Sequence, residues 1–429
     1  MDSSTIIIGA GLAGLSCAYH LRSGYRIYEK TSQIGGNCRS RKIGDFSFDL
    51  GGHFIHLRDP YAEKLVRFLV GGNLIEVERR SGIYFGDHMV PYPFQMNLYS
   101  LPHIVKLDCL KGAIEAHYGS ERKRFDDFGE WIDGTLGKGI MRHFMEPYNT
   151  KLWGLSPYEM SMDWVHGFVP EPDIWEIVEG ALKRQEGVGY NASFLYPRRG
   201  GIQSLCNSFL QHINNPEMDS TVEQIDPEDS TVKVSGKKQR YKNIVSTIPL
   251  PRLVGILSDP PEKVIRAAEK LRCNTVKVIM LGVKNVQLPE YHWIYFPQKE
   301  ISFYRLVNFS TVTDAMSPEG YSSVCVEVAS LDKGFKPNEG LIRRAIGDLI
   351  DIGYILSEED VVISNVEDMD YAYVTYDKDR RKNVELIQKY LKRVGINSTG
   401  RYGSWEYSTM ETAILQGKQS AEKISVNNP

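Results

Sequence analysis

The first thirty residues carry the clearest pattern of apolar positions in the chain. The β-branched run at residues 6–8 predicts a buried strand, and the apolar residues spaced along Leu12–Leu21 predict a helix. A second short strand is predicted at Tyr25–Tyr28. Strand, helix and strand in this order predict a βαβ unit with parallel strands.

Beyond this unit the pattern changes twice. Residues 102–185 have mainly helical character, whereas residues 274–328 alternate apolar and polar positions as an antiparallel sheet does. Paired strands are predicted within 76–91, with a turn at Gly86 and Asp87. Further helices are predicted at 61–70, 104–118, 125–136, 139–148, 173–185, 202–213, 341–352 and 384–394, short strands at 221–225, 231–235 and 243–247, and a loop leading into a helix at 400–417.

Glycines mark the first turn at Gly9, Gly11 and Gly14, and the second strand ends on Glu29. Gly9 permits a tight turn, Gly11 lets the backbone approach a pyrophosphate, and Gly14 lets helix and strand pack closely. The helix N-terminus offers unpaired N–H groups and the positive end of a dipole to phosphates. Glu29 can accept hydrogen bonds from an adenosine ribose. The pattern therefore predicts a dinucleotide site.

Two glycine pairs extend this site. The pair that ends at Gly36 precedes Arg39, and backbone N–H groups next to a basic residue suit phosphates. The pair that ends at Gly52 precedes His53, and backbone without side chains can lie against a flat ring. The layout resembles the FAD proteins of the glutathione-reductase-like superfamily, which implies FAD rather than free NAD as the cofactor.

Composition narrows the class of protein. The chain has 429 residues, 42% of them hydrophobic, which is enough for a large core and two or three domains. Its formal net charge of −3 gives no sign of nucleic acid or a membrane surface as a partner. The six cysteines lack CxxC spacing, so neither a disulfide framework nor a metal site is predicted. Because no basic leader and no long apolar run occur, we expect a cytoplasmic protein without a membrane span.

Motifs spread from Thr5 to about Gly417 resemble the UDP-galactopyranose mutase family, and its eukaryotic branch more than its bacterial one. The last of them is the most specific, because the same loop in that family both holds flavin and touches substrate. The motifs are Tyr92-Pro93-Phe94-Gln95, Pro147-Tyr148-Asn149-x-Lys151-x-Trp153, Asn191-Ala192-Ser193-Phe194, Pro197-Arg198-Arg199-Gly200-Gly201, Trp293-Ile294-Tyr295-Phe296-Pro297 with Phe303-Tyr304-Arg305, and Gly400-Arg401-Tyr402-Gly403-Ser404-Trp405-x-Tyr407.

The resemblance implies an α/β fold with three parts. A Rossmann-like FAD-binding domain is expected at 1–75, 190–260 and 365–429. An inserted helical domain that serves as substrate lid is expected at 98–189, and an antiparallel β-sheet domain at 76–97 and 261–364.

The resemblance also implies an activity. It predicts a flavin-dependent isomerase that interconverts the pyranose and furanose forms of a nucleotide sugar, UDP-galactose-like, through a covalent adduct between the sugar and N5 of reduced FAD. NAD(P)H is the expected reductant, and Arg79 and Ser81 resemble the NADPH contact of the eukaryotic branch. The sequence predicts no oligomeric state.

Roles near the reacting sugar are carried over residue by residue. His53 would lie over the flavin near N5 and Asn191 would contact the sugar, whereas His56 stays unassigned. The diphosphate would be bound by Arg305, whose planar donor fork suits it, together with Tyr295, Tyr373 and Tyr407. In a chain with 24 tyrosines, a structural role for Tyr373 is an equal alternative.

Roles at the two ends of the site are carried over in the same way. Tyr92, Gln95, Asn149 and Trp153 would bind the uracil nucleotide, and Trp153 taken alone would be interpreted as a core residue. The expected cofactor-binding residues are Gly9, Gly11, Gly14, Glu29, Lys30, Gly36, Arg39, Gly52, Val222, Arg401, Gly403, Met410 and Glu411. The last two begin a helix whose N-terminus can stabilise negative charge on reduced flavin.

Two positions depart from the family. Phe168 stands where the family has a lid arginine that clamps the diphosphate, and Val312 stands where it has a substrate-side tyrosine. One lost charge-assisted pair removes about 1.5–3 kcal/mol. Arg184, Arg198 and Arg199 are candidates to compensate.

Two other classes of function stay open. A flavin oxidase or desaturase of the amine-oxidase type shares the same plan of glycine motifs and C-terminal loop. A flavoprotein that serves only as a binding module would bind FAD and be insensitive to its redox state. Turnover that appears only after reduction favours the mutase, and oxygen-dependent release of peroxide favours the oxidase.

Overall fold

The computed structural model describes residues 5–86, 88–119, 124–185, 192–284, 286–287 and 290–426. The strand Thr5–Ile8, all of whose residues are buried, lies inside a parallel sheet that has four strands among the described residues. Tyr25–Tyr28 pairs on one side of it and Asn243–Ser246 on the other, with Ile396–Ser398 beyond. The predicted βαβ unit is therefore confirmed, with its helix at Leu12–Leu21.

The helix that follows the first strand packs closely against the last helix of the chain, because glycines let backbones meet. Leu12–Leu21 lies against Met410–Val426. A Cβ atom on Gly14 would lie 2.0 Å from the Gly9 carbonyl oxygen, and one on Gly417 would lie 2.3 Å from the Ala13 carbonyl oxygen. Such distances leave no room for a side chain, so Gly14 lets the helix start close against the turn and Gly417 lets the two helices pack closely.

The largest sheet has seven strands among the described residues, and its register aligns three polar side chains. Tyr295 lies opposite Arg305, and Arg305 lies opposite Glu327, so these side chains stand in one row on one face. Neighbouring strands are antiparallel, apart from Trp293–Tyr295 and Ser81–Phe85, which pair in parallel. In spatial order the strands are Val361–Met369, Thr275–Lys284, Tyr321–Ser330, Arg305–Asn308, Trp293–Tyr295, Ser81–Phe85 and His88–Pro91.

Smaller sheets complete the β structure. Ser40–Ile43 pairs with Phe46–Asp49. The strands Lys237–Arg240, Thr231–Val234 and Val222–Asp226 form an antiparallel meander. The pairing predicted within 76–91 is correct for Ser81–Phe85 and His88–Pro91, with Asp87 outside the described residues.

The start of that predicted pairing is wrong. Leu74–Glu78 does not join the hairpin but pairs with Ser193–Pro197, a strand more than a hundred residues later. The N–H of Arg79 continues this ladder by donating to the Ala192 carbonyl at 2.8 Å. Long-range pairing of this kind leaves no signal in local alternation.

The helices agree with the pattern in position and differ at some ends. The predicted start at 125 moves to Phe128, because the Asp127 carboxylate caps the Glu130 N–H. The α-helices are Leu12–Leu21, Pro60–Val70, His103–Gly119, Phe128–Thr135, Lys138–Ile140, Glu146–Trp153, Ile174–Leu182, Gln203–Ser208, Leu250–Gly255, Glu262–Glu269, Glu339–Asp351, Arg380–Arg393, Gly400–Gly403 and Met410–Val426, and the 3-10 turns are Gly71–Asn73, Phe94–Met96, Leu98–Ser100, Pro157–Glu159, Phe209–Gln211, Phe309–Thr311, Asp314–Met316 and Glu358–Asp360.

The helix predicted at 139–148 is longer and irregular. It runs through Lys138–Ile140, a π-helical turn at Met141–Met145 and Glu146–Trp153. The extra residue of the π turn rotates the helical residues that come after it, and such turns recur at functional sites. The predicted domain division stays a prediction; the strand Val361–Met369 crosses its boundary at residue 364. Across the described ranges, no helix combines the length and apolarity needed to cross a bilayer.

Candidate active site

A cavity of about 570 Å³ lies where the nucleotide-binding turn faces the large sheet. Among the predicted catalytic residues it is lined by His53, Arg305, Tyr373 and Tyr407. The predicted cofactor-binding residues that line it are Gly9, Gly11, Glu29, Lys30, Gly36, Arg39, Gly52, Val222, Arg401 and Met410. The structure therefore brings residues from distant parts of the chain around one space.

The nucleotide end of this cavity is built on backbone. Gly9 and Gly36 have φ of +97° and +63°, which side chains rarely adopt, and a Cβ on Gly36 would be in ordinary van der Waals contact with the Gly11 Cα. Among the described residues, no side chain caps the helix that starts after Gly11, and the first residues of this helix line the cavity. Glu29 is 7% exposed, and its carboxylate accepts from the N–H groups of Ala10 and Thr31, both at 2.9 Å. This fixes an acidic group at the end of the second strand.

These features fit FAD. The Nε atoms of Arg39 and Arg401 are buried and have no hydrogen-bond partner within the described residues. Burial and the neighbouring Arg41 lower the pKa of Arg39, which leaves a partly desolvated cation beside a glycine turn. Both donors line the same cavity as the start of the helix, and together with its N–H groups they suit a phosphate-bearing group.

The start of the last helix closes the cavity from another side. Thr409 and Met410 line it, and the Thr409 hydroxyl caps the Thr412 N–H at 3.1 Å. Glu411 does not line it: its carboxylate accepts from the N–H of Asp59 at 2.7 Å and anchors the chain before Pro60–Val70. The predicted cofactor role of Glu411 therefore has a competing structural contact.

Gly403 and Gly14 are likewise absent from the lining and serve packing. A Cβ on Gly403 would lie 3.0 Å from the Ser246 carbonyl oxygen at the end of a parallel strand. Both glycines shape the site from behind by close backbone contact.

His53 is a neutral side chain at pH 7. Burial lowers its pKa to about 4, the strongest of several influences that include Glu327 and Arg305. Its Nδ1 lies 3.3 Å from the Gly51 carbonyl oxygen. Burial also lowers the pKa of His56 to about 4, and both side chains line the cavity. Neither can supply a fixed positive charge there.

Arg305 is held by a carboxylate that sequence reasoning missed. Its Nη2 donates to Glu327 at 2.7 and 2.8 Å and its Nε donates at 3.1 Å. Glu327 is fully buried, and it also accepts from the Gly52 N–H at 3.0 Å and from the Tyr304 hydroxyl. Burial lowers the pKa of Arg305, but Glu327 outweighs it, and the pKa is raised. Among the described residues, Nη1 has no partner.

Aromatic rings surround this pair and connect the predicted subsites. The ring centroid of Tyr295 lies 5.4 Å from that of Tyr92 and 5.3 Å from that of Tyr148. Tyr373 and Tyr407 lie 5.9 Å apart at 30°. Tyr148 belongs to one of the sequence motifs but received no predicted role, and its place between the subsites shows only in the fold.

The guanidinium of Arg401 lies over the rings of two tyrosines. The Arg401 Cζ atom lies 5.0 Å from the ring centroid of Tyr407 and 5.4 Å from that of Tyr373. Its Nη1 donates to the Ser408 carbonyl at 2.8 Å and its Nη2 to the Ala372 carbonyl at 3.0 Å. Within the part of the chain that the structure describes, Arg401 is therefore held by backbone carbonyls and pairs with no carboxylate.

None of the four predicted nucleotide-binding residues lines the cavity: Gln95, Asn149 and Trp153 are buried, and Tyr92 is half-buried. Gln95 is 1% exposed and donates to the Pro170 carbonyl at 3.0 Å. Asn149 donates to the Met145 carbonyl at 2.7 Å and accepts from Trp153 Nε1 at 3.2 Å, so the three polar groups are already paired. Trp153 is 1% exposed and packs on Tyr373 and Tyr407. Their substrate contacts stay predictions.

The departures from the family pattern have clear positions. The Phe168 ring packs on Tyr407 with a centroid distance of 4.6 Å, and Val312 is buried. Arg198 and Arg199 are exposed and do not line the cavity. Asn191, the predicted sugar contact, lies outside the described residues.

Comparison with known proteins adds family information to this geometry. A family model described as flavin containing amine oxidoreductase matches residues 135–425, and one described as an NAD(P)-binding Rossmann-like domain matches residues 7–69. Both matches confirm the fold class and indicate FAD as the cofactor.

Solved structures give the same result at the level of the fold. A crystal structure of reduced UDP-galactopyranose mutase superposes with a TM-score of 0.93 at 28% identity, covering 99% of this chain and 95% of that chain. This confirms the resemblance to that family. Cyclohexylamine oxidase from Brevibacterium oxydans superposes with a TM-score of 0.69 at 16% identity, covering 100% of this chain and 99% of that chain, which shows a shared fold alone.

Curated relatives match over shorter stretches. A protein from Dictyostelium discoideum named probable flavin-containing monoamine oxidase A is 22% identical over 279 residues, which is 60% of this chain and 59% of that protein. Protein anon-37Cs of Drosophila lebanonensis is 40% identical over 60 residues, which is 13% of this chain and 11% of that protein. The chain thus spans less than two thirds of the length of each of these relatives.

Proposed function

The chain belongs to the flavin containing amine oxidoreductase family, and from that premise we propose that it is a flavin-dependent isomerase. Its proposed reaction interconverts the pyranose and furanose forms of a nucleotide sugar, most simply UDP-galactose. The similarity to the reduced UDP-galactopyranose mutase, at 28% identity over nearly the whole chain, supports this assignment. The cyclohexylamine oxidase is less similar to this chain, at 16% identity, and shares its fold alone.

In this proposal the cofactor is held by the glycine turn, by Arg39 and by Arg401, all of which line the cavity. Gly9, Gly11 and Glu29 receive the dinucleotide, and Arg39 and Arg401 offer their unpaired Nε donors. When bound and reduced, FAD supplies the nucleophile that the isomerisation needs. The remaining chemistry is positioning and electrostatics, and these come from the chain.

The observation that carries the proposal is the guanidinium of Arg305 at the cavity, with Nη1 unengaged by any described residue. Glu327 already engages Nε and Nη2, so Nη1 is the donor available for a charge-assisted hydrogen bond to a diphosphate oxygen. The Tyr373 and Tyr407 side chains line the same space and add hydroxyl donors. Charge that develops on the departing diphosphate would meet these donors without reorganisation.

His53 contributes a neutral imidazole in this account. Because burial holds its pKa near 4, it neither attracts the diphosphate nor protonates the cofactor region at pH 7. It can orient a sugar hydroxyl through a ring nitrogen. The N-terminus of Met410–Val426 faces the cavity and stabilises negative charge there.

An amine oxidase is the second candidate, supported by the family model itself. Amines in such sites are attracted to aromatic faces. Here the faces of Tyr373 and Tyr407 already carry Arg401, and a second cation would be repelled by it. This observation favours an anionic substrate over a cationic one.

We also propose NAD(P)H as the reductant.

The test is to incubate the holoprotein with UDP-galactofuranose, with and without dithionite, and to separate the products by HPLC. Conversion to UDP-galactopyranose in the reduced sample alone supports the isomerase. Oxygen-dependent release of peroxide from amines, with no conversion of the nucleotide sugar, would replace it with the oxidase.

A further inference from the structure

A second layer of side chains lies behind the loop of residues 400–409, which brings Arg401 and Tyr407 to the cavity. Arg380 begins the helix Arg380–Arg393 and is 9% exposed. Its guanidinium stacks over the Tyr376 ring, with Cζ 4.1 Å from the centroid, and donates to the Trp405 carbonyl. Arg380 therefore contacts the loop without lining the cavity.

The charge of Arg380 is unusual for so buried a group. No ion pair joins it to any carboxylate in the described ranges, and its Nε finds no partner there either. A buried guanidinium without a carboxylate is costly, so a residue whose role was packing alone would be an apolar side chain of similar size. Packing alone therefore does not account for an arginine at this position.

The loop that Arg380 contacts has a strained backbone. Trp405 is fully buried and has a φ of +54°, a conformation that bulky side chains rarely adopt. Such a residue persists only where its surroundings hold it. Two side chains of the same helix do so: Arg380 binds the Trp405 carbonyl, and Gln388 donates to the Gly403 carbonyl at 2.7 Å.

A second path leads from Arg380 to the cavity. The hydroxyl of Tyr376, whose ring carries the guanidinium, accepts from the Tyr407 N–H at 2.7 Å. Arg380 thus fixes the loop at two points, directly at Trp405 and through Tyr376 at Tyr407. Between them these contacts set the direction in which the Tyr407 side chain enters the cavity.

We propose that Arg380 is a positioning residue that holds the strained loop and so presents Tyr407 and Arg401 to an anionic nucleotide ligand. The nature of the ligand rests on the proposed function, whereas the positioning itself does not. Arg380 touches neither ligand nor cofactor and acts through Trp405 and Tyr376.

Hydrogen exchange measured by mass spectrometry on the holoprotein tests the positioning. In Arg380→Met we expect amides of residues 404–409 to exchange at least about tenfold faster, with the flavin absorbance spectrum unchanged. The matched control is Arg381→Met on the same helix, since Arg381 is exposed and pairs with Glu385 and Asp163. It should leave exchange in 404–409 as in the wild type.

Binding of UDP by calorimetry is the second readout. We expect the Kd of Arg380→Met to rise at least fivefold and that of Arg381→Met to stay unchanged, which a general loss of stability would not produce. Wild-type protein that fails to bind UDP would count against the proposed function, while the exchange experiment would still decide the role of Arg380.

A conservative variant guards against misfolding of Arg380→Met. Arg380→Lys keeps the charge and loses the planar fork and the ring stacking, so exchange in 404–409 should fall between wild type and Arg380→Met. If Arg380→Met or Arg380→Lys exchanges like the wild type throughout 404–409, the proposal is wrong.

Discussion

Removing Arg305 should have two separable consequences, because its guanidinium pairs with Glu327 and, in the proposed function, also binds the ligand. Among the described residues, Arg305→Ala leaves the fully buried Glu327 carboxylate with the Gly52 N–H and the Tyr304 hydroxyl as its remaining donors. Breaking a buried pair from one side costs about 3–5 kcal/mol of unfolding free energy. The lost charge-assisted contact to a diphosphate costs about 1.5–3 kcal/mol of binding, or about 10- to 100-fold in Kd.

The double variant Arg305→Ala/Glu327→Gln distinguishes the two effects. It removes the stranded charge, so urea denaturation should show that most of the lost stability returns. Its Kd for UDP, measured by calorimetry on the oxidised holoprotein, should stay as weak as that of Arg305→Ala. A Kd that recovers together with stability, or one that never changes, would remove Arg305 from the ligand site.

Three further perturbations test other parts of the account. Gly14→Ala should lose about 1–3 kcal/mol of stability or more together with its bound flavin, because a Cβ would lie 2.0 Å from a carbonyl oxygen. The control is Gly347→Ala, at a helical position where a Cβ would meet no described atom within 4 Å; thermal melts should show it to be neutral or stabilising. Phe168→Arg should tighten UDP binding about tenfold and make it salt-dependent, because it puts a guanidinium that can pair with the diphosphate in place of a ring that packs on Tyr407. Phe168→Leu is the uncharged control. Burial lowers the pKa of His53 to about 4, so between pH 6.5 and 4 the unfolded chain binds a proton at this residue that the folded chain does not bind. The free energy of unfolding is therefore unaffected by this group above pH 6.5 and falls by at most about 3 kcal/mol towards pH 4. A His53→Asn variant should show a flatter dependence of stability on pH.

Local patterns predicted the nucleotide-binding half of the fold well. The helix Leu12–Leu21 and the strand Tyr25–Tyr28 lie where periodicity and glycines placed them, because each is determined by neighbours in sequence. The end of Glu146–Trp153 was less predictable, since the π turn before it adds a residue that no apolar period shows.

Long-range pairing set the limit of prediction at the site. Arg305 could be chosen from its motif, but its partner Glu327 is assigned by sheet register across a separate strand. The pairing of Leu74–Glu78 with Ser193–Pro197 is of the same kind. Trp153 satisfied a motif, and its full burial against Tyr373 follows only from the packing of the whole chain.

The central claim is that reduced flavin is used without net oxidation, and the number of turnovers per electron pair tests it most directly. The holoprotein would be reduced anaerobically with one equivalent of dithionite, mixed with a hundredfold excess of UDP-galactofuranose, and followed by HPLC and flavin absorbance. The account predicts many conversions per flavin while the absorbance stays bleached. One conversion or fewer per flavin, with the oxidised spectrum returning, would contradict it.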